Sequence, residues 1–219
     1  SVSKFGTGSL LKNNVSNEIA PQQAPLWTGS QWIIVNAGYT WISTDLQDWT
    51  RYTNDLVNVS YSVYDIKFIN NQIVISLFNE FAVSTDGITW TRITPVLDQY
   101  YTPNIRSIIY QNGKWLIESY NSTQGRTGIF SANSLSTTGW TLIYSLARLT
   151  GSGSPQTTNQ FRALTSDGTT AAFGVNSYTY YGQFTNTIRK ITGTTNSFST
   201  VAVTANTNEY LNEVYVFDN

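Results

Sequence analysis

Tyrosine and arginine are the side chains of this sequence best able to act on a ligand, because its 219 residues include no histidine, cysteine or methionine. Without histidine the chain lacks the usual general base at neutral pH and the commonest metal ligand. Without cysteine it has no thiolate metal site and no disulfide framework. Ser-His-Asp, Cys-His and zinc-hydrolase chemistries are excluded, and neither a cofactor nor a metal is expected. What remains is an aromatic and amide surface. Tyr39, Phe78, Tyr100, Tyr101, Tyr120, Tyr178, Tyr180 and Tyr181 stand among Asn, Gln and Ser residues. Aromatic faces of this kind suit sugars, whose C–H faces stack while their hydroxyls bond to amides and hydroxyls.

Charge narrows the partners. Twelve basic residues face thirteen acidic ones, a formal net charge of −1, and no Lys/Arg run exceeds Arg189-Lys190. A phosphate backbone needs clustered cations, so nucleic acid is not an expected partner. No apolar stretch nears the ~20 residues of a membrane span, so no membrane insertion is expected. Only 11% of residues are charged, against about 25% in ordinary soluble domains. Solubility therefore rests on Ser, Thr, Asn and Gln, which suits an extracellular, cell-surface or virion setting.

The elements that position these residues repeat. Ser43-Thr-Asp45-Leu-Gln-Asp48-Trp49 and Ser84-Thr-Asp86-Gly87-Ile-Thr89-Trp90 lie 41 residues apart, and Ser131-Ala-Asn133 with Trp140 is a third copy broken by an insertion. In register with them, Thr28-Gly-Ser-Gln-Trp32, Ile69-Asn-Asn-Gln-Ile73 and Tyr110-Gln-Asn-Gly-Lys-Trp115 each read as strand, tight turn, strand. The Asn-Asn and Asn-Gly pairs supply the positive φ that two-residue hairpins require. Ser166-Asp167-Gly168 resembles a fourth copy and Val214–Asn219 the start of a fifth. The second unit predicts strands near 63–69, 72–78, 80–85 and 90–94. Units of ~40–50 residues with four short strands point to an all-β fold, a β-propeller of four-stranded antiparallel blades. A two-sheet sandwich predicts no such fixed period.

Ser84-Thr85-Asp86-Gly87-Ile88-Thr89-Trp90 resembles the Asp-box repeat of sialidases, sortilin-like receptors and many non-enzymatic propellers, with one spacer compressed. In the first copy Gln47 and Asp48 are read as standing where Gly and Thr belong. The resemblance covers roughly residues 21 to 204 and implies a hairpin between a blade's third and fourth strands. Asp there accepts backbone N–H bonds, Gly permits positive φ, and Trp folds back onto the blade. Ser43, Asp45, Trp49, Ser84, Asp86, Gly87, Trp90, Asn133 and Trp140 are thus expected to be structural fasteners. In sialidase-like propellers these boxes lie opposite the active site. That directs attention to the other rim, with the aromatic residues above and with Arg106 and Arg162, which fall at similar places at the start of a blade's inner strand.

Sialidases also need an arginine triad, a Tyr–Glu nucleophile pair and an acid/base Asp. Their Phe-Arg-Ile-Pro motif is only echoed, by Phe161-Arg162-Ala163 and Arg92-Ile93-Thr94-Pro95. The expectation is accordingly a non-enzyme: a structural or binding module, such as a phage tail or receptor-binding component that recognises surface proteins or glycans, with no catalytic residues. A sialidase-like glycoside hydrolase and an assembly or scaffold propeller are the alternatives, and a homo-oligomer within an assembly is among the expected partners. Residues 1–20 are read as an extension or closing strand and 21–219 as blades. The start at Ser1 is read as a processed or trimmed product, and four units plus one further strand as a fragment of a larger propeller.

Overall fold

The computed structural model describes residues 24–36, 38–56, 63–99, 101, 104–121, 126–146, 158–166, 170–178, 184–192 and 197–202. They form four antiparallel sheets of four strands, each sheet built from strands consecutive in sequence. Blade 1 holds β1 (Leu26–Trp27), β2 (Trp32–Asn36), β3 (Tyr39–Ser43) and β4 (Thr50–Thr53). Blade 2 holds β5 (Asp65–Ile69), β6 (Gln72–Ser76), β7 (Phe81–Ser84) and β8 (Thr91–Ile93). In blade 3 the strands are β9 (Ile105–Gln111), β10 (Lys114–Asn121), β11 (Arg126–Ala132) and β12 (Thr141–Leu146). Blade 4 comprises β13 (Thr158–Ser166), β14 (Thr170–Tyr178), β15 (Phe184–Thr192) and β16 (Ser197–Ala202).

The first strands touch one another in order, β1 with β5, β5 with β9 and β9 with β13. They therefore surround an axis while the other strands fan outward, the arrangement of propeller blades. Each hairpin between first and second strands closes as its residues demand. Asn70 and Asn71 have φ of 50° and 59°, and Asn112 and Gly113 have 47° and 78°, the left-handed pair of a tight hairpin turn.

Alternation along the strands sends apolar side chains into the spaces between blades. Ile33 and Val35 of blade 1 meet Ile73, Ile75 and Trp90 of blade 2. Val74 and Phe81 of blade 2 meet Ile108, Ile117, Phe130 and Trp140 of blade 3. Ile109, Leu116 and Ile129 then pack on Leu164 and Ala171 of blade 4. Each fully buried aliphatic side chain contributes about 1.5–3 kcal/mol by leaving water, so the interfaces between blades are the core.

The turns between third and fourth strands have the expected chemistry. Asp86 Oδ1 accepts the N–H groups of Ile88 and Thr89 at 2.7 and 2.8 Å, while Ser84 Oγ donates to it at 2.9 Å and accepts from Gly87 N at 2.8 Å. Asp45 repeats this with Gln47 N, Asp48 N and Ser43 Oγ. The first-copy alignment needs correcting. Leu46, at φ 64°, occupies the place of Gly87, at φ 78°, so Leu46 and Asp48, not Gln47 and Asp48, stand where Gly and Thr do. The indoles close the motif: Trp49 Nε1 donates to Leu46 O and Trp90 Nε1 to Gly87 O. Trp140 Nε1 donates to Ser136 O at 2.8 Å across the broken third copy. Residues 1–20, Asp167-Gly168 and Val214–Asn219 lie outside the described residues.

Candidate functional site

In a four-stranded meander the second-to-third connections and the links between blades share one rim, opposite the turns just described. The backbone bonds agree: Ile105 N donates to Phe78 O, Tyr64 N to Ser76 O, and Tyr120 N to Asn104 O. At this rim the inner strands begin. Blade 3 is unusual there, because Asn104, Ser107, Glu118, Ser119, Asn121 and Thr127 are all buried. Buried polar groups cost stability unless they are bonded, so such a concentration requires partners within or beside the blade. Among the described residues, Asn104 Oδ1 and Thr127 Oγ1 are buried with no hydrogen-bond partner.

A β-bulge organises the cluster. Ser107 pairs with Glu118 and Ile105 with Ser119, which leaves Arg106 as the extra residue. Bulges re-aim side chains, and here the Arg106 guanidinium lies over the Tyr120 ring, 4.4 Å from its centroid. Glu118 and Tyr120 sit two apart on β10 and so share a face. A second bulge in β13, between Arg162 and Thr165, takes Leu164 out of regular pairing and leaves its carbonyl for side-chain donors.

Those donors come from blades 2 and 3. Lys67 Nζ lies 2.5 Å from Asp65 Oδ2 and donates to Ser107 Oγ and Ile108 O, both at 3.1 Å, and to Leu164 O at 3.5 Å. Ser107 Oγ is 2.9 Å from Asp65 Oδ2 and 3.1 Å from Leu164 O, either of which can take its single proton. One ion pair and one hydroxyl thereby tie blades 2, 3 and 4 beside the axis. Asp65 keeps 21% of its side chain exposed. Asp65 bonds Ser107 directly, and Glu118 is the residue paired with Ser107 across the β9–β10 ladder.

The residues expected on this rim are scattered. Arg106 and Tyr120 come together, and Phe78 lies beside the start of β9. Tyr39 is exposed but far out on blade 1, under Arg51 (4.9 Å to the ring centroid) and 6.0 Å from the Trp41 ring. Tyr101 is buried edge-on against Phe130, with ring centroids 5.0 Å apart. It is a core residue, and burial pushes its hydroxyl pKa up despite hydrogen bonding to Ser145. Arg162 lies on β13 and Tyr178 ends β14. Tyr100, Tyr180 and Tyr181 lie outside the described residues. Asp65, Lys67, Ser107 and Glu118 were not anticipated. Their signal in the sequence is charge inside apolar strands, as in Asp65-Ile-Lys-Phe-Ile69 and Trp115-Leu-Ile-Glu118.

No protein-family model and no curated protein matches the chain. It is similar in structure to the exo-inulinase of Aspergillus awamori, with 14% identity, a TM-score of 0.41 and coverage of 84% of this chain and 50% of that one. It is also similar to the GH74 enzyme of Niastella koreensis, with 18% identity, a TM-score of 0.39 and coverage of 78% and 23%. A GH43 β-1,3-galactosidase shares 11% identity at a TM-score of 0.29, with coverage of 77% and 34%. The chain thus spans half or less of these proteins. All three are glycoside hydrolases, so the expectation of a non-enzyme, drawn from the missing sialidase motifs, is corrected: the fold is one that carbohydrate-processing enzymes use, and at these identities the likeness shows the fold alone.

Proposed function

We propose that this chain is a carbohydrate-active propeller of the glycoside hydrolase kind, working at the rim where its inner strands begin. The observation that carries this reading is that Asp65 bonds Ser107, whose partner across the sheet is Glu118, beside the Arg106–Tyr120 pair. Glycoside hydrolysis needs two carboxyl groups, one to protonate the leaving oxygen and one to act as base or nucleophile. In this proposal Asp65, ion-paired to Lys67, is the base or nucleophile and Glu118 the acid. Arg106 and Tyr120 grip the sugar, the ring by stacking and the guanidinium by bonding hydroxyls or a carboxylate. The turn chemistry of blades 1 and 2 supports an Asp-box reading of the fold. Low charge and absent cysteine support a place on a virion or cell surface, with glycans as partners.

The test is a panel of fluorogenic glycosides, a sialoside and a fructoside included, run on the wild-type chain and on Asp65→Asn and Glu118→Gln variants of unchanged circular dichroism. Turnover of at least one substrate, lost by about 100-fold or more in both variants, is expected. Wild-type protein that turns over no glycoside and binds none on a glycan array would overturn the proposal.

A further inference from the structure

At the other end of the inner strands lies a cleft of about 390 Å³. Its walls include Leu26 of β1, Phe68 of β5, Tyr110 of β9 and Ser166 of β13, one residue from each blade, with Asn70 at the rim. Phe68 and Tyr110 are equivalent, each two residues ahead of the first Asn of its hairpin turn. Blade repetition therefore places two aromatic rings around one opening. The Tyr110 ring leans on Trp115, with centroids 4.9 Å apart, so packing fixes its orientation.

The electrostatics restrict the occupant. Among the described residues that line the cleft none is acidic, and the one cation among them, Lys67, has four acceptors within 3.5 Å for its three protons. Lys67 thus has no proton left to offer an anion, and its charge is already met by Asp65. A charged ligand would lose its water without gaining a counter-ion. What the cleft offers is flat apolar surface from Phe68 and Tyr110 together with the donors and acceptor of the exposed Asn70 amide. Its volume is near the lower end of ligand sites, which run from about 300 to 1,000 Å³, room for one or two sugar rings.

We infer that this turn-side cleft is a second, non-catalytic carbohydrate site that takes a neutral pyranose, stacked on Tyr110 and Phe68 and hydrogen-bonded by Asn70. The site rests on the lining by Phe68, Tyr110 and Asn70 and requires no hydrolytic step, although Lys67 in its wall is the ion-pair partner of Asp65.

Two substitutions probe the site without dismantling it. Tyr110→Leu keeps an apolar cover on Trp115 while removing the stacking face. Asn70→Gly keeps the positive φ while removing the amide. Calorimetric titration of the full chain with maltohexaose, cellohexaose and laminarihexaose is expected to show binding of at least one. Each variant should weaken it by about fivefold to tenfold. The inference is overturned if no oligosaccharide binds or if both variants bind like wild type. It is equally overturned if indole binds where the sugars do not, since the cleft would then be a purely apolar site.

Discussion

The backbone N–H of Trp90 donates to both carboxylate oxygens of Asp55, at 2.9 and 3.2 Å, across 35 residues of sequence. Asp55 follows the last strand of blade 1, whereas Trp90 ends the Ser-Thr-Asp turn of blade 2. Thr40 of blade 1 adds a second tie, its hydroxyl donating to Gly87 O at 2.5 Å. The same relation recurs one blade on, where Val96 N, in the link leaving blade 2, donates to Thr137 O in the turn of blade 3 at 2.7 Å. The turns of blades 2 and 3 thus each clasp the link that leaves the preceding blade. Hydrogen bonds to a charged acceptor contribute about 1.5–3 kcal/mol, and exposure of Asp55 places it at the lower end. Asp55→Ala should therefore lower unfolding stability by about 1–2 kcal/mol in urea titration, with Asp55→Asn intermediate. An unchanged midpoint in both variants would show that the clasp adds nothing.

Trp90 itself should weigh more. Its ring is buried between Ile33 and Val35 of blade 1 and Ile73 and Ile75 of its own blade, and its Nε1 donates to Gly87 O at 3.0 Å. Trp90→Ala removes a large apolar surface and leaves a cavity between blades, a loss of about 3–5 kcal/mol. Trp90→Phe restores most of the ring but not the N–H donor, so its cost should fall well below that of alanine. Chemical denaturation of both variants distinguishes packing from hydrogen bonding: equal losses would mean that the indole N–H governs.

The strands of blades 2 and 3 were legible because local chemistry and long-range packing agree there. Asn70-Asn71 and Asn112-Gly113 leave few conformations other than a tight turn, and alternating Ile, Val and Phe define an inward face on either side. The sequence points to Gln47 rather than Leu46 at the glycine place because a leucine at positive φ runs against local preference. Leu46 is held there by the Ser43 and Asp45 bonds and by packing beside Trp41 and Trp49. Tyr101 reads as rim surface in the sequence because its type does not reveal burial, which depends on Phe130 and Gly128 from a strand 25 or more residues away. Asp65 and Glu118 lie 53 positions apart in different blades. Only the order of blades about the axis and the bulge at Arg106 bring them to the same serine.

Acid should loosen the turns before the rest. Burial pushes the Asp86 pKa up, but the N–H groups of Thr89 and Ile88 and the Ser84 hydroxyl outweigh it and hold the group below its ordinary value of 3.8. Asp45 is lowered too, chiefly by the N–H groups of Asp48 and Gln47. A depressed folded-state value means stability that is fully present above the ordinary carboxylate value and lost as pH falls through the folded one. Melting temperature should therefore drop between about pH 4 and pH 2, and Asp86→Asn should flatten that drop while lowering stability at neutral pH. A variant with wild-type acid dependence would remove Asp86 from the explanation.

Gly128 tests how tightly blade 3 is packed around Tyr101. A Cβ placed on Gly128 would lie 2.8 Å from Tyr101 Cε1 and 3.0 Å from both Leu142 Cδ1 and Phe130 Cε2. Backbone dihedrals are not the obstacle, since Gly128 is not among the residues of positive φ; the missing side chain is what the site requires. Tyr101 is wedged against Phe130 and cannot withdraw without opening the core between blades 2 and 3. Overpacking of this kind costs about 1–3 kcal/mol, so Gly128→Ala should lower stability by that much. Pairing it with Tyr101→Leu, which trims the atom in closest conflict, should recover part of the loss. Additive losses in the double variant would mean that the two residues do not share the space assigned to them.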